Sequence, residues 1–398
     1  MIASRPRQLA AALLLAGGLP GVAAGNFSAC LGELRDAAVA RGIDAGTADS
    51  LLDGLTPSAR VIELDRRQPE FTATLRDYLE GRVNAARIRT GQRLLAEHAA
   101  LLERIHRDYG IPGRYLIAFW GLETNYGQYT GEMPTLQSLA TLACDRRRGE
   151  FFREELIAAL QLVDARTLTP GQLRGSWAGA LGNFQFLPSV YRDHAVDADG
   201  DGRRDLWASL PDAAESAAAF LRARGWQPGE RWGREVSLPA DFDYALGGET
   251  RPLGEWRDRG LRRADGGPLP VADLDARLII PAGADGPAFV VYENFDVIMR
   301  WNPSRFYALS VGLLADRLIG APGLRNPPPA QPPMRIETVE ALQTRLRERG
   351  FDAGPVDGRM GPATRAALRA FQASRGLIAD GHPDPDTLAE LDIHQSGR

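Results

Sequence analysis

The segment GLETNYGQYTG, residues 121–131, carries one glutamate where an apolar side chain is expected. Leu116, Phe119, Trp120 and Glu123 fall at i, i+3, i+4 and i+7, one face of a helix that opens at Pro112 and should stop at Gly127. On that face the carboxyl is desolvated by its neighbours and lies at the negative end of the helix dipole, and both effects disfavour the anion. A carboxylic acid that keeps its proton near neutral pH is what general acid catalysis requires. The same residue also reads as a cap, an arginine partner or a solvent-facing side chain at a fraying end, and the segment alone leaves both readings open.

A second constellation is acidic. DADGDGRRDLW, starting at Asp197, has Asp at loop positions 1, 3 and 5, Gly at 6 and Asp205 at 9. Asp197, Asp199 and Asp201 would converge oxygens on one point, Gly202 makes the sharp turn, and Arg203 offers its backbone carbonyl at position 7. A hard cation such as Ca²⁺ calls for that pattern. The usual bidentate Glu at position 12 is missing, since Ala208 stands there, and a solvated turn without metal is the alternative. Zinc hydrolysis is disfavoured because His98, His106, His194, His382 and His394 form no HExxH or other close pair. No GxSxG elbow occurs. RGSWAGALGNFQFLPS, residues 174–189, interleaves glycines with Trp177, Phe184 and Phe186, which suits either tight helix packing or a surface for sugar rings.

The elements that must hold these groups are mainly helical. Residues 30–225 read as successive helical patterns broken by Gly, Pro and Asp turns, and REVSLP, ARLIIP and AFVVYENF, between 231 and 295, read as short strands. A helical pattern returns in RFYALSVGLLADRLIG. APGLRNPPPAQPPM, residues 321–334, has six prolines in fourteen residues and should be a stiff, extended spacer. The expected organisation is a targeting segment at 1–25, a large mainly α domain at 26–320 with a small β insertion, the linker at 321–334, and a tail module at 335–395. With 47 basic against 51 acidic residues, all the basic ones scattered arginines, the chain lacks the basic stripe of a nucleic-acid binder.

The first residues combine MIASRPRQ, an apolar stretch LAAALLLAGGLPGVAA and the small residues Val22-Ala23-Ala24, a pattern for export to the periplasm. A retained anchor is the alternative. The apolar stretch is short for a membrane span and is broken by Gly and Pro. In an oxidising compartment the only two cysteines, Cys30 and Cys144, are expected to pair. FSAC, ending at Cys30, faintly matches a lipidation box, with Phe27 where an aliphatic residue is usual.

GLETNYG, TLQSLATLACDRRRGEFFREEL, GSWAGALGNFQFLPSVYRDHAVDADGDGRRDLW and WNPSRFYALSVGLLADRL, in this order and spacing, resemble the lytic murein transglycosylase B family over most of residues 60–312. The resemblance implies a lysozyme-like catalytic domain. It would cleave the β-1,4 bond between N-acetylmuramic acid and N-acetylglucosamine, with the sugar's 6-hydroxyl closing a 1,6-anhydro ring. Glu123 matches the family's single catalytic carboxylate, acid first and base second, and no cofactor takes part in the chemistry. Ser176 and Gln185, and less closely Tyr78, Asn302 and Tyr307, match residues that line the family's cleft. Trp301 and Phe306 stand where tyrosines are expected, which would make those contacts more apolar. The family's EF-hand-like loop suggests Asp212 as the shifted last ligand of a structural Ca²⁺. A muramidase that delivers water, or a non-catalytic wall-binding scaffold, are the competing functions.

The tail resembles a three-helix peptidoglycan-binding module, with Val339, Leu342 and Leu346 on one stripe, Leu368, Phe371 and Gln372 on the next, and FQxxxGL over 371–377. The implied partners of a monomeric enzyme are peptidoglycan glycan strands, with cell-wall synthesis or division proteins as associates.

Overall fold

The computed structural model describes residues 24–66, 73–145 and 148–393. The expected targeting segment and its cleavage signal lie almost wholly outside the described residues. Among those described there are seventeen α-helices against seven short strands, so the chain is mainly α, and no helix is long and apolar enough to cross a membrane.

The strands, in chain order, are β1 (Met133–Pro134), β2 (Arg174–Gly175), β3 (Gly233–Ser237), β4 (Thr250–Pro252), β5 (Arg262–Arg263), β6 (Asp275–Ile279) and β7 (Ala288–Val291). β1 and β2 form one antiparallel pair, and the other five make an antiparallel sheet in the order β4-β6-β7-β3-β5. β3, β6 and β7 are the three strands read from the sequence. β4 and β5 are two or three residues long, too short to leave a period-2 signature.

The helix Gly113–Thr124 runs through the main core. Tyr115, Leu116, Phe119 and Trp120 are all buried there against the helix Arg305–Leu318 and its neighbours. Burying each such side chain stabilises the fold by about 1.5–3 kcal/mol, which makes this helix a rigid base for what projects from its last turn. A second core lies under the N-terminal helix Ala24–Ala40 and the pair Thr135–Ala143 and Gly149–Asp164. There Cys30 and Cys144 form a disulfide with Cα atoms 6.0 Å apart, closing a sequence separation of 114 residues. A loop of that length restricts the unfolded chain by about 4–5 kcal/mol in the entropic account. Both sulfurs are in the bond, so Cys30 has no thiol left for a lipid.

The tail module packs a small core of its own from Leu342, Leu346, Leu368, Phe371 and Leu388 on the helices Ile336–Glu348, Pro362–Ser374 and Pro385–Glu390. The proline-rich segment before it is extended, as its composition demands, but it does not stand free as a spacer. The backbone N–H groups of Arg325 and Asn326 donate to Glu235, at 2.9 and 2.7 Å. The Asn326 amide donates to the Gly286 carbonyl at 2.7 Å, and Gln331 reaches Ala282. Ala284 in turn donates its N–H to Asp380 of the tail at 2.9 Å. The strap and the module are fastened to β3 and to the loop between β6 and β7 by polar groups that lie far away in sequence.

Candidate active site

Glu123 lies half-buried on the last turn of the helix Gly113–Thr124. The helix stops two residues before the expected Gly127. Asn125, Tyr126 and Gly127 take φ of 50°, 63° and 81°, three left-handed residues in succession. A bulky residue in that region costs on the order of 1 kcal/mol or more. Tyr126 is held there by its hydroxyl, which donates to the Arg87 carbonyl at 2.7 Å, and by an edge-on contact with Trp120. Gly91 and Gly121 form the slot for its ring: a Cβ at Gly121 would lie 2.7 Å from the Tyr126 Cζ. The first glycine of GLETNYG is therefore required by the tyrosine five residues later.

Oε1 of Glu123 accepts two hydrogen bonds, one from the Trp301 indole N–H at 2.9 Å and one from the Tyr307 hydroxyl. Tyr307 is only 4% exposed. Burial first, then the adjacent Glu123, hold its phenol well above the ordinary value, so it remains a neutral donor. The expectation that Trp301 makes the site more apolar is therefore corrected. Its ring packs on Phe119 at 4.4 Å and within an edge-on cluster of Phe186 and Phe220, yet its one polar atom is aimed at the carboxylate. Both donors meet on a single oxygen of the carboxylate. They also fix where a proton goes. With Oε1 accepting twice, the protonated carboxyl carries its hydrogen on Oε2.

The other cleft residues expected from the sequence divide into two groups. Tyr307 touches the carboxylate directly. Tyr78 lies buried against Phe306, with the Arg82 guanidinium stacked 3.6 Å over its ring, while Asn302 ends the helix Glu293–Trp301 and lines the main cleft. Ser176 and Gln185 organise backbone. The Ser176 hydroxyl accepts from the N–H of Ala180, and Gln185, itself at φ 52°, donates to the carbonyls of Thr130 and Gly182. Gln185 thereby ties the loop after Glu123 to the glycine-rich segment.

Sequence reasoning missed Asn183, which is 5% exposed. Its Oδ1 accepts from the Trp120 indole at 2.9 Å and its amide donates to the carbonyls of Leu206 and Trp207, while its own carbonyl accepts from Thr124. It joins the Glu123 helix to the end of the acidic loop. The available signal was one of two amides, with Gln185, inside the otherwise apolar run ALGNFQF.

The cleft that Trp301 opens onto has a volume of about 1770 Å³ and runs between the main domain and the tail. The carboxylates lining it are Glu155, Asp357 and Asp384, each already engaged; Glu123 reaches this lining through its partner Trp301. Both oxygens of buried Glu155 are held by the N–H and hydroxyl of Ser189, Asp357 accepts from Gln343 and Arg359, and Asp384 caps the helix Pro385–Glu390.

In the acidic loop, carboxylate oxygens of Asp197, Asp199 and Asp212 lie within 4.8 Å of one another. Asp201, exposed, departs from the expected convergence and turns its carboxylate to the Arg203 N–H at 2.8 Å. Asp212 is fully buried and accepts three backbone N–H groups, from Ala198, Asp199 and Asp205. Three hard oxygen donors facing one point fit a Ca²⁺-sized ion, with Asp212 as the deep ligand.

Residues 26–316 match the family of the transglycosylase SLT domain, and residues 335–391 match a peptidoglycan-binding-domain family. The chain is 33% identical over 225 residues to the membrane-bound lytic murein transglycosylase B of Escherichia coli K12, a match covering 53% of this chain and 58% of that protein's length. Its tail is 44% identical over 59 residues to the N-acetylmuramoyl-L-alanine amidase CwlM of Mycobacterium tuberculosis, covering 15% of this chain and 14% of the amidase. Among solved structures, SltB3 from Pseudomonas aeruginosa in complex with NAG-anhNAM-pentapeptide superposes with a TM-score of 0.87 at 43% identity, covering 92% of this chain and 99% of that one. The lytic transglycosylase Slt35 of Escherichia coli, in complex with calcium, superposes with a TM-score of 0.63 at 27% identity, covering 73% and 92%.

Proposed function

We propose that this chain, which belongs to the transglycosylase SLT domain family, is a lytic transglycosylase of peptidoglycan. It would cut the β-1,4 bond between N-acetylmuramic acid and N-acetylglucosamine and leave 1,6-anhydromuramyl ends. The observation that carries this reading is one carboxyl, Glu123, braced by Tyr307 and by Trp301, which itself lines the large cleft, while the carboxylates lining that cleft are each held by hydrogen bonds of their own. Glycosidases that work by water or by a covalent intermediate use two carboxylates. With one, both proton transfers fall to the same group.

In the first half the proton on Oε2 of Glu123 passes to the departing glycosidic oxygen. The anion left behind is stabilised by the two donors on Oε1, so the brace acts on the charge that develops. In the second half the carboxylate takes the proton of the muramyl 6-hydroxyl as that oxygen attacks C1: the O6–H bond breaks, the C1–O6 bond forms, and the acid is restored. Atoms balance without water. Mass spectrometry of sacculi digested with the purified mature protein should find anhydromuramyl products. Reducing ends in their place would assign the chain as a muramidase on the same fold.

The tail module we assign to wall binding, with glycan strands as the partner and a single chain as the working unit. The pattern of residues 1–25 supports export to the periplasm, the compartment in which the Cys30–Cys144 bond is stable. Ca²⁺ is proposed to bind at Asp197, Asp199 and Asp212, where it would relieve the repulsion of three adjacent carboxylates and stiffen the loop that Asn183 grips. It supplies charge neutralisation there and no step of the reaction. Adding Ca²⁺ to chelator-treated protein should raise the thermal midpoint by several degrees, since 100-fold excess over Kd contributes about 2.7 kcal/mol. Asp197→Asn should lose that rise, and an equal rise in the variant would remove the site.

A further inference from the structure

Beside the large cleft, where the tail meets the sheet, lies a pocket of about 100 Å³ that the catalytic reading leaves unused. Three guanidiniums line it: Arg305 from the main domain, two residues from Tyr307, and Arg365 and Arg369 from the tail helix Pro362–Ser374. None of the three hydrogen-bonds or pairs with a carboxylate among the described residues. The one acid on the pocket wall, Asp380, is engaged elsewhere. Its Oδ2 accepts from Ala284, and its Oδ1 from His382 and from the Gln372 amide. The backbone is shaped around the cations: a Cβ at Gly248 would lie 3.5 Å from Arg369 Nη2, and one at Gly381 would lie 3.0 Å from Arg369 Nη1. Both glycines are left-handed, at φ 94° and 72°.

Three like charges brought together in a confined space repel, and shielding them from water raises the cost. Burial depresses all three; neighbouring guanidiniums depress Arg305 and Arg365 further, Arg365 to about 9, whereas the charges of Asp380 and Glu249 partly offset the burial of Arg369. Three guanidiniums against the single carboxylate of Asp380, which is taken up by neutral donors, leave the pocket net positive and suited to an anion. The volume admits a carboxylate or a phosphate with a few waters, at roughly 30 Å³ per water. Guanidiniums match either group through paired, charge-assisted hydrogen bonds. Arg305 and Arg365 also line the large cleft, so the pocket opens into it.

We propose that this junction pocket is an oxyanion subsite that takes a carboxylate of the peptide stem carried by the strand in the cleft. The assignment rests on peptidoglycan being the substrate. Its chemistry is the free carboxylate in which every unamidated stem ends. One arginine of the subsite belongs to the main domain and two to the tail, so a seated stem would touch both. Strands that carry peptide would be preferred over stripped ones.

The test is a binding measurement and does not depend on turnover. The full mature chain carrying Glu123→Gln, so that the sugar linkage survives, is titrated with NAG-NAM-pentapeptide and with the same compound amidated at its carboxyls. Amidation should weaken binding about tenfold or more, the loss expected for a charge-assisted pair. Arg365→Gln or Arg369→Gln added to that protein should bind both compounds alike, and Arg369→Lys should recover part of the difference. Thermal unfolding of each variant checks the fold, and losing one of three mutually repelling charges should not lower the midpoint. Equal affinity of the two compounds for the unsubstituted arginines would overturn the proposal. So would saturable binding of inorganic phosphate at these arginines together with equal affinity for the two compounds, which would assign the pocket to a free anion. A chain that discriminates the two compounds but releases no anhydro product would keep the subsite and lose only the catalytic reading.

Discussion

Glu123→Gln is expected to lower strand cleavage by at least about a thousandfold while the protein still folds and still sediments with purified sacculi. General acid–base groups contribute about 10²–10⁴ in rate, and a residue serving both proton transfers belongs at the upper end. The amide keeps the volume and one acceptor for Trp301 and Tyr307, so the aromatic brace should persist and the thermal midpoint should hold or rise. Anhydromuramyl release from sacculi, followed over time, gives the rate, and pelleting with the wall gives the binding. Retained cleavage in this variant would mean that another group delivers the proton, and the single-carboxyl mechanism would fail with it.

Asn183→Ala should be the most damaging change outside the reacting groups. It strips the partner from the Trp120 indole and from the Trp207 carbonyl, and takes one of two donors from the Leu206 carbonyl, which keeps the backbone N–H of residue 183. An unsatisfied buried polar group costs about 1–3 kcal/mol, so a loss near 3–5 kcal/mol is expected once partial relaxation is allowed for. Urea unfolding reads the loss directly. At a temperature where the variant is still folded, kcat should fall more than KM changes, because the helix carrying Glu123 loses its tie. Asn183→Asp keeps the acceptor and loses the donors, and should fall between. A variant as stable as the parent would show that the amide network holds nothing.

The two predictions also mark where sequence reading ends. Glu123 was legible because a charged residue on a stripe set by Leu116, Phe119 and Trp120 violates a local rule, and such violations gather at functional sites. The acidic cluster was legible in part: Asp197 and Asp199 are near neighbours in sequence, whereas Asp212 joins them from the next helix and Asp201 turns away. What escaped was set by distant partners. Asn183 looks like any turn residue until Trp120 and Leu206 are brought to it. Trp301 could be counted as greasy surface until the fold aimed its indole nitrogen at a carboxylate 178 positions away. The early end of the Glu123 helix was hidden for the same reason. Nothing near Tyr126 announces that Gly91, thirty-five residues earlier, will clear a left-handed path for it. Of the three arginines at the junction, Arg365 and Arg369 lie one turn apart on the tail helix, and nothing in the sequence says that Arg305, sixty residues earlier, will join them.

The proline strap has a consequence for how the two halves cooperate. A floppy tether would let the tail roam and merely keep the enzyme nearby, so the joint would have to be frozen anew at each encounter with the polymer. Here Glu235, Gly286 and Ala282 have immobilised that joint already, during folding. The entropy of alignment is thus settled once per molecule and not once per cut. A sacculus gripped by the tail arrives at the catalytic face in one preset bearing.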